Sequence, residues 1–521
     1  MESNVPYALR VVQSANLRHP DLPLVEIFLQ NAADSEQAAR YFLQTYTDDV
    51  GGSKFTQFAD DWKCLVKKSY IENPHSKYLD SITKRAVAQR DNNSCCILGT
   101  RSRFWNSSGL FPVIPLTAFY IKEKRLYDLL GAFIGSSHRD FLLSARDGDS
   151  ISPRNHWYLG KSVAMSFSTG ELQLEHISNA MYDIRHNSGV NSSPFIIFKR
   201  ICHWQCNLID HSATGIQSPD SRLLEIHRRF APAMRWTDIS AKMERRKPRT
   251  HKPPNRNAFS EILIKSALTI WKIFPDFIRL QTYKMLAYAG LRLYGKATRQ
   301  VQRLPFGMFM KFDAQERFSP RIMNEFNALT LPRPIDLIVT SNGSYLISSQ
   351  IKGVGAGYAL DECSDEEMHV IAQDLQKYIA ELRTIQQKPD STYAISNPSG
   401  GPFLDYRIDV SPVGPFPTER DFSDSLRLGG APDVVHRDDH QIVFTHADIN
   451  LRNIILRDGR IEGIVDWENA GWYPEYWEYT KCRFGVRVSK RWLKMLEELF
   501  DHKYEEELKI EQVYWELDSG M

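Results

Sequence analysis

The stretch from Gln441 to Asp466, QIVFTHADINLRNIILRDGRIEGIVD, constrains the rest of the chain more than any other. The apolar, β-branched run Gln441 to Thr445 predicts a buried strand that delivers His446 and Asp448 into a loop, with Asn453 further along it. A second apolar run, Ile454 to Leu456, turns through Asp458-Gly459 and returns as Ile461 to Val465. Asp-Gly between two such runs is a strong hairpin signal. The returning strand therefore carries Asp466 back beside Asn453.

That residue set suits phosphoryl transfer, whose transition state is stabilised mainly by positioning and charge. Mg²⁺ takes carboxylate and amide oxygens while keeping water ligands, which makes Asn453 and Asp466 the candidate metal ligands. Asp448 is the candidate catalytic carboxylate, accepting the proton of an attacking hydroxyl or aiming it. His446 reads as a prop for the loop. The steps of five residues from Asp448 to Asn453 and thirteen from Asn453 to Asp466 are those of the protein-kinase H-R-D-x-x-x-x-N and D-F-G pair. An ordinary hairpin with solvated Asp and Asn in its turns is the alternative.

HADINLRN followed by IVDWENAGWYPEYWEY resembles the aminoglycoside phosphotransferase and choline kinase family, in its fungal-type branch. The resemblance implies an α+β fold, bilobal and protein-kinase-like, over the carboxyl-terminal half, with ATP and Mg²⁺ as cofactors and a small-molecule hydroxyl as acceptor. It implies that Lys311, ending the strand-like run Arg303 to Phe312, holds the ATP phosphates and that Glu325 in NEFNAL is its helix partner. The connection from Glu325 to Pro334 is shorter than the family pattern, which puts that pairing in question. Gly307 alone stands where a G-x-G-x-x-G loop would cover the phosphates. Pro334 to Val339 and the run after Asn342-Gly343 predict a second hairpin, leading into a hinge where Ser349 and Ile351 are expected to offer backbone groups to adenine.

Asp365 to Ile385 has apolar residues three and four apart with acids in its first turn, predicting the long helix of the larger lobe. Residues 388–440, rich in Pro, Gly, Ser and Asp, read as loops with one short helix near Phe422 to Leu428; in the family such segments shape the acceptor pocket. The aromatic run after Asp466 reads as core, with Glu468, Glu475 and Glu478 available to meet a cationic acceptor. The tail reads as a helical pair.

At 521 residues the chain should form at least two domains. The clearest boundary is the basic, Pro-containing run Glu244 to Asn257, ERRKPRTHKPPNRN, a linker or a nuclear-localisation or nucleic-acid patch. The expected organisation is an amino-terminal domain over 1–240, a linker over 241–257, and a helical lead-in over 258–300 with helices at Phe259 to Ile273 and Arg279 to Leu293. A small ATP-binding lobe follows over 301–353 and a large catalytic lobe over 354–521. Within the first domain, RDNNSCCILGT, PVIPLTAF and SPRNHWYLGKSVAMSFSTGELQL resemble an HNH-nuclease-like region over about residues 80–180. The framework residues Arg90, Cys95, Gly99 and Asn155 match. Pro112 and Ala164 stand where the family has its catalytic and metal-binding His, so the resemblance implies a mixed α/β scaffold that has lost its active site, unless His138 or His156 substitutes. Cys202, His203, Cys206 and His211 complete no zinc spacing.

A net charge of +2 provides no global electrostatic case for nucleic acid or an anionic membrane. Seven scattered cysteines read as thiols of a reducing compartment. With no signal-peptide pattern at Met1 to Val12 and no apolar run of spanning length, an intracellular, soluble protein is expected, cytoplasmic or, through the basic linker, nuclear. Two rivals accompany the phosphotransferase reading: a pseudokinase-type binding protein, and a nucleic-acid enzyme acting through the first domain.

Overall fold

The computed structural model describes residues 3–15, 17–46, 53–69, 79–99, 108–146, 153–186, 205–212, 215–245, 269–295, 298, 300–313, 319–328, 332–387, 391–426, 435–486 and 489–518. The chain divides into two compact units, Met1–Lys247 and Pro248–Met521.

The first unit opens with helices α1 (Asn4–Ser14), α2 (Asp21–Asn31), α3 (Ser35–Tyr46), α4 (Ser53–Ser69) and α5 (Ser81–Arg90). Strand β1 (Ser108–Pro112) follows, then α6 (Lys124–Ile134), α7 (Ser136–Arg146), β2 (His156–Gly160) and α8 (Lys161–Ser168). Strands β3 (Leu172–Ser178), β4 (Met181–His186) and β5 (Gln205–Asn207) form an antiparallel sheet, and α9 (Ser221–Arg245) closes the unit. Its core includes Phe28, Phe58, Trp62, Phe133 and Phe230. β1 and β2 pair antiparallel with Pro112 opposite His156, and α8 follows β2 directly.

The framework residues of this unit make structural bonds. Arg90 is fully buried, binds both Asp91 carboxylate oxygens at 2.7 and 2.9 Å, and donates to the carbonyls of Gln217 and His156. The Asn155 amide bonds the Ile114 backbone in both directions, at 3.0 and 2.7 Å. Cys95 is buried, and Gly99 takes a left-handed φ of 61°. Ala164 is buried in α8 and His138 lies on α7. Cys206 is buried in β5 and His211 donates its backbone N–H to Arg90, whereas Cys202 and His203 fall outside the described residues.

In the second unit, α10 (Asp276–Tyr294) packs on β6 (Val301–Leu304) so closely that a Cβ on Gly290 would lie 1.9 Å from the Arg303 carbonyl oxygen. β7 (Met308–Asp313), α11 (Ser319–Ala328), β8 (Pro334–Thr340) and β9 (Gly343–Ser349) complete a small lobe whose antiparallel sheet runs β6-β7-β9-β8. The expected single strand over Arg303 to Phe312 is two strands instead. Pro305 breaks the ladder, and Phe306 and Gly307 turn the chain with φ of 64° and 67°. Residues 259–268 of the expected Phe259 to Ile273 helix and most of the linker lie outside the described residues; residues 269–271 are helical.

The large lobe holds β10 (Val354–Gly355), α12 (Ala356–Ala359), α13 (Asp365–Arg383), β11 (Phe403–Asp405), β12 (Asp409–Val413) and α14 (Glu419–Leu426). It continues with β13 (Ile442–Thr445), β14 (Ile454–Arg457), β15 (Arg460–Ile464) and β16 (Gly471–Pro474), then α15 (Trp477–Gly485), α16 (Lys490–Phe500) and α17 (Glu505–Asp518). α13 starts on a reciprocal Ser364/Glu367 capping box and buries Met368, Ile371, Ala372, Leu375 and Ile379. The β14–β15 hairpin turns at Asp458 and Gly459, both with positive φ, as Asp-Gly predicts. Residues 388–440 contain the β11–β12 hairpin as well as a helix, hidden by loop-like composition, and Gly471–Pro474 is a strand paired with β13, hidden by aromatic density. Tyr473, Tyr476, Trp477 and Tyr479 are fully buried.

Candidate active site

β13 leads into the loop at Thr445, and the side chains after it are fixed one by one. His446 is fully buried, accepts the Asp448 N–H at Nδ1 (3.2 Å) and reaches the Val465 carbonyl through Nε2 (3.2 Å), so it ties the loop to the strand before Asp466. Burial holds its pKa below the ordinary histidine value, which suits this neutral, one-donor role. Ala447 adopts φ of 62°, a left-handed conformation that disfavours a Cβ. Glu478 steadies that turn by accepting the N–H groups of His446 (2.8 Å) and Ala447 (3.4 Å).

The turn presents Asp448 to Asn450 and Asn453. One carboxylate oxygen accepts Asn450 Nδ2 at 3.0 Å and the other Asn453 Nδ2 at 2.8 Å. Burial pushes the Asp448 pKa up to about 6, against the opposing charge of Lys481. Asn453 Nδ2 also donates to the Asp448 carbonyl (2.9 Å), which leaves the amide oxygen as the atom that can take a cation. The Asn453 carbonyl accepts the Val465 N–H at 2.8 Å, so Asn453 and Asp466 are neighbours at the base of the hairpin.

Asp466 has φ of 68° and meets Lys311 at 2.6 Å. Lys311 also meets Glu325 at 2.8 Å and Glu468 at 2.9 Å, so all three ammonium hydrogens have carboxylate partners. The short connection after Glu325 thus leaves the pair formed. Asn324 donates to the carbonyls of Glu468 (2.8 Å) and Ala470 (3.0 Å), docking α11 on the segment after Asp466. Burial works to lower the Lys311 pKa, but the three carboxylates outweigh it and hold it well above its ordinary value. Burial raises Glu325, because one ammonium is shared among three acids, while Lys311 overcomes burial to hold Asp466 low. Glu325, Asp466 and Glu468 are also the one group of three possible ligand residues with ligand atoms within 4.8 Å of one another among the described residues.

At the hinge, the Ser349 N–H bonds the Arg333 carbonyl at 2.9 Å and Ser349 Oγ accepts the Arg333 N–H at 2.9 Å, so the Ser349 N–H is engaged within the sheet. The Gln350 N–H is likewise engaged by Gly307 at 2.8 Å. Ile351 lies beyond these bonds, its side chain against Gly463, where a Cβ would come within 2.7 Å. The three glutamates considered for a cationic acceptor are engaged elsewhere or, like Glu478, buried. Glu468 serves Lys311, Glu475 accepts Lys503 (2.6 Å) and Tyr504 (2.7 Å), and Glu478 holds the loop. Sequence reasoning missed Asn324, Asn450, Tyr406 (3.1 Å from Glu468) and Lys481; only the H-x-D-x-N spacing pointed to Asn450.

Solved structures similar to this chain include a thermostable mutant of aminoglycoside phosphotransferase APH(4)-Ia in a ternary complex with ADP and hygromycin B. It is 14% identical, with a TM-score of 0.32 over 45% of this chain and 92% of that one. Another is APH(3'')-Id from Streptomyces rimosus in complex with ADP and streptomycin, 17% identical, with a TM-score of 0.30 over 46% and 97% of the two chains. No curated protein matches the sequence. No described helix is long and apolar enough to cross a membrane. Residues 295–508 match the phosphotransferase enzyme family (APH), and Lys311, Glu325, Asp448, Asn453 and Asp466 all fall inside that span.

Proposed function

We propose that the carboxyl-terminal unit is a kinase-like phosphotransferase that moves the γ-phosphoryl group of ATP to a hydroxyl of a small molecule, with Mg²⁺. The convergence of Lys311, Glu325 and Asp466 across 155 residues, inside the span that matches the family, is the observation that carries this reading. Lys311 would neutralise and orient the phosphates, with Glu325 steering its ammonium. Asp448, ionised above about pH 6, would accept the hydroxyl proton and aim the oxygen. Asp466 and the Asn453 amide oxygen would hold the metal ion, which when bound neutralises phosphate charge. The donor set fits a divalent cation, since three carboxylates around one ammonium leave an excess of negative charge. Ile351 would face adenine.

One observation favours a binding-protein reading. Every Lys311 hydrogen has a carboxylate partner, so nucleotide must displace one of them. Calorimetry of ATP against the full chain, with and without Mg²⁺ and with amino-alcohols or aminoglycosides, tests both readings. Mg²⁺-dependent binding with transfer supports the enzyme; binding without transfer to any hydroxyl supports the binding protein; no binding refutes both. For the amino-terminal unit we propose an HNH-like scaffold without its active site. The β1, β2, α8 order and the structural engagement of Arg90 and Asn155 support it, as do Pro112 and Ala164 at the positions of the lost histidines.

A further inference from the structure

α15 runs beneath the loop that carries Asp448. Glu478 on this helix accepts the His446 and Ala447 N–H groups, and a Cβ on Gly485 would lie 3.7 Å from Asn450 Cβ. Lys481 sits three residues after the first of these and four before the second, on the same helical face, and therefore looks toward the residues between Ala447 and Asn450.

Its ammonium is buried, the side chain being 6% exposed, and bonds Asp405 Oδ1 at 2.6 Å. Asp405 is itself fully buried and fixed by the Trp477 indole (3.2 Å at Oδ2) and the Arg407 N–H (3.0 Å at Oδ1). Asp405 thus fixes where the lysine charge sits, and Asp448 feels that charge.

We propose that Lys481, anchored by Asp405, is a positioning residue that holds the Asp448 carboxylate in its transfer-ready orientation. The proposal rests on the phosphotransfer reading of this site. Asp405 ends β11, 76 residues before Lys481, so the pair also makes the placement of Asp448 depend on the segment 388–440. A purely structural ion pair would tolerate replacement of both partners by apolar residues of similar volume, whereas removing the lysine alone leaves the buried Asp405 carboxylate uncompensated; a positioning lysine would tolerate neither.

The test compares Lys481→Met, Lys481→Arg, Asp405→Asn and the double variant Lys481→Met with Asp405→Leu in the full chain, reading Mg-ATP turnover and hydrogen exchange over residues 446–453. Lys481→Met, alone and in the double variant that leaves no buried charge unpaired, should lower kcat by roughly 10- to 100-fold with the KM for ATP unchanged, since a small misplacement of a catalytic group is felt mainly in turnover. Lys481→Arg should restore most of it, and exchange in the loop should speed up in Lys481→Met and return in Lys481→Arg. Asp405→Asn, which keeps the volume, should show a milder form of the same pattern and substitutes if Lys481→Met does not fold. A kcat near the parent value in the double variant overturns the proposal, because the pair is then only structural, as do unchanged kcat and exchange in Lys481→Met and a kcat loss that arginine fails to rescue. If the parent protein shows no Mg-ATP turnover at all, the phosphotransfer reading fails separately. Loop exchange then decides the lysine's role: faster exchange rescued by arginine upholds it, and unchanged exchange ends it.

Discussion

Replacing Asp448 by Asn should abolish phosphoryl transfer and yet stabilise the protein at neutral pH. Burial raises the Asp448 pKa from 3.8 to about 6, so an ionised Asp448 costs about 3 kcal/mol at 1.36 kcal/mol per pKa unit. Asparagine removes that cost. It also turns one amide NH₂ toward either Asn450 Nδ2 or Asn453 Nδ2, both of which now donate to the carboxylate, and losing one such bond costs about 1 kcal/mol. The net gain at pH 7.5 is about 2 kcal/mol. The sign depends on pH, because the folded pKa lies above the unfolded one. Stability from the bound proton is complete below the unfolded value and is lost as pH rises through the folded value, so the wild type gives up stability between about pH 4 and 6 and the variant does not. The two stabilities should cross near pH ~4.5. Calorimetric unfolding of both full-length proteins at pH 4.5, 6 and 7.5 reads this as an upward shift of roughly 4–8 °C at pH 7.5 that vanishes at the lowest pH. A difference independent of pH, or a variant less stable at pH 7.5, would refute the assignment of a desolvated carboxylate. Mg-nucleotide binding should survive the substitution, and wild-type kcat/KM should fall below about pH 6 as Asp448 protonates.

Asp466→Ala should eliminate Mg²⁺-dependent nucleotide binding, measured by calorimetry; retained metal dependence would remove Asp466 from the metal site. Glu325→Ala should weaken ATP binding by about 1 kcal/mol, at the low end for a charge-assisted bond, because Asp466 and Glu468 still hold Lys311. Unchanged affinity would mean that the pair does not orient the lysine for nucleotide. Gly290→Ala should destabilise the small lobe by more than the ~1 kcal/mol that alanine ordinarily gains over glycine in a helix, since its Cβ would lie 1.9 Å from the Arg303 carbonyl oxygen; a rise in melting temperature would contradict that close approach. The full-length protein should not nick plasmid DNA with Mg²⁺, Mn²⁺ or Zn²⁺. Metal-dependent nicking lost on replacing His138 or His156 would show a displaced nuclease site.

Much of the site was legible because its signals are local. The β14–β15 turn follows from Asp458-Gly459, the start of α13 from Ser364 and Glu367, and the meeting of Asn453 with the strand before Asp466 from hairpin register. The strand break at Pro305 was also present in the chain but masked by the apolar alternation around it, and the β11–β12 hairpin was hidden by loop-like composition.

Spacing and turn chemistry determined that Asp448, Asn453 and Asp466 could form a site together, since backbone geometry over a dozen residues depends on those residues themselves; Lys311 and Glu325 entered only through the family resemblance. Which groups remain available was decided by tertiary structure. Whether Lys311 has a free hydrogen depends on Glu468, 157 residues away, and whether Ser349 can meet adenine depends on Arg333. The surroundings of Asp448 depend on Lys481 and, through it, on Asp405. Each donor or acceptor is satisfied by whatever the packed fold brings within about 3 Å, and that pairing carries no signature in local sequence.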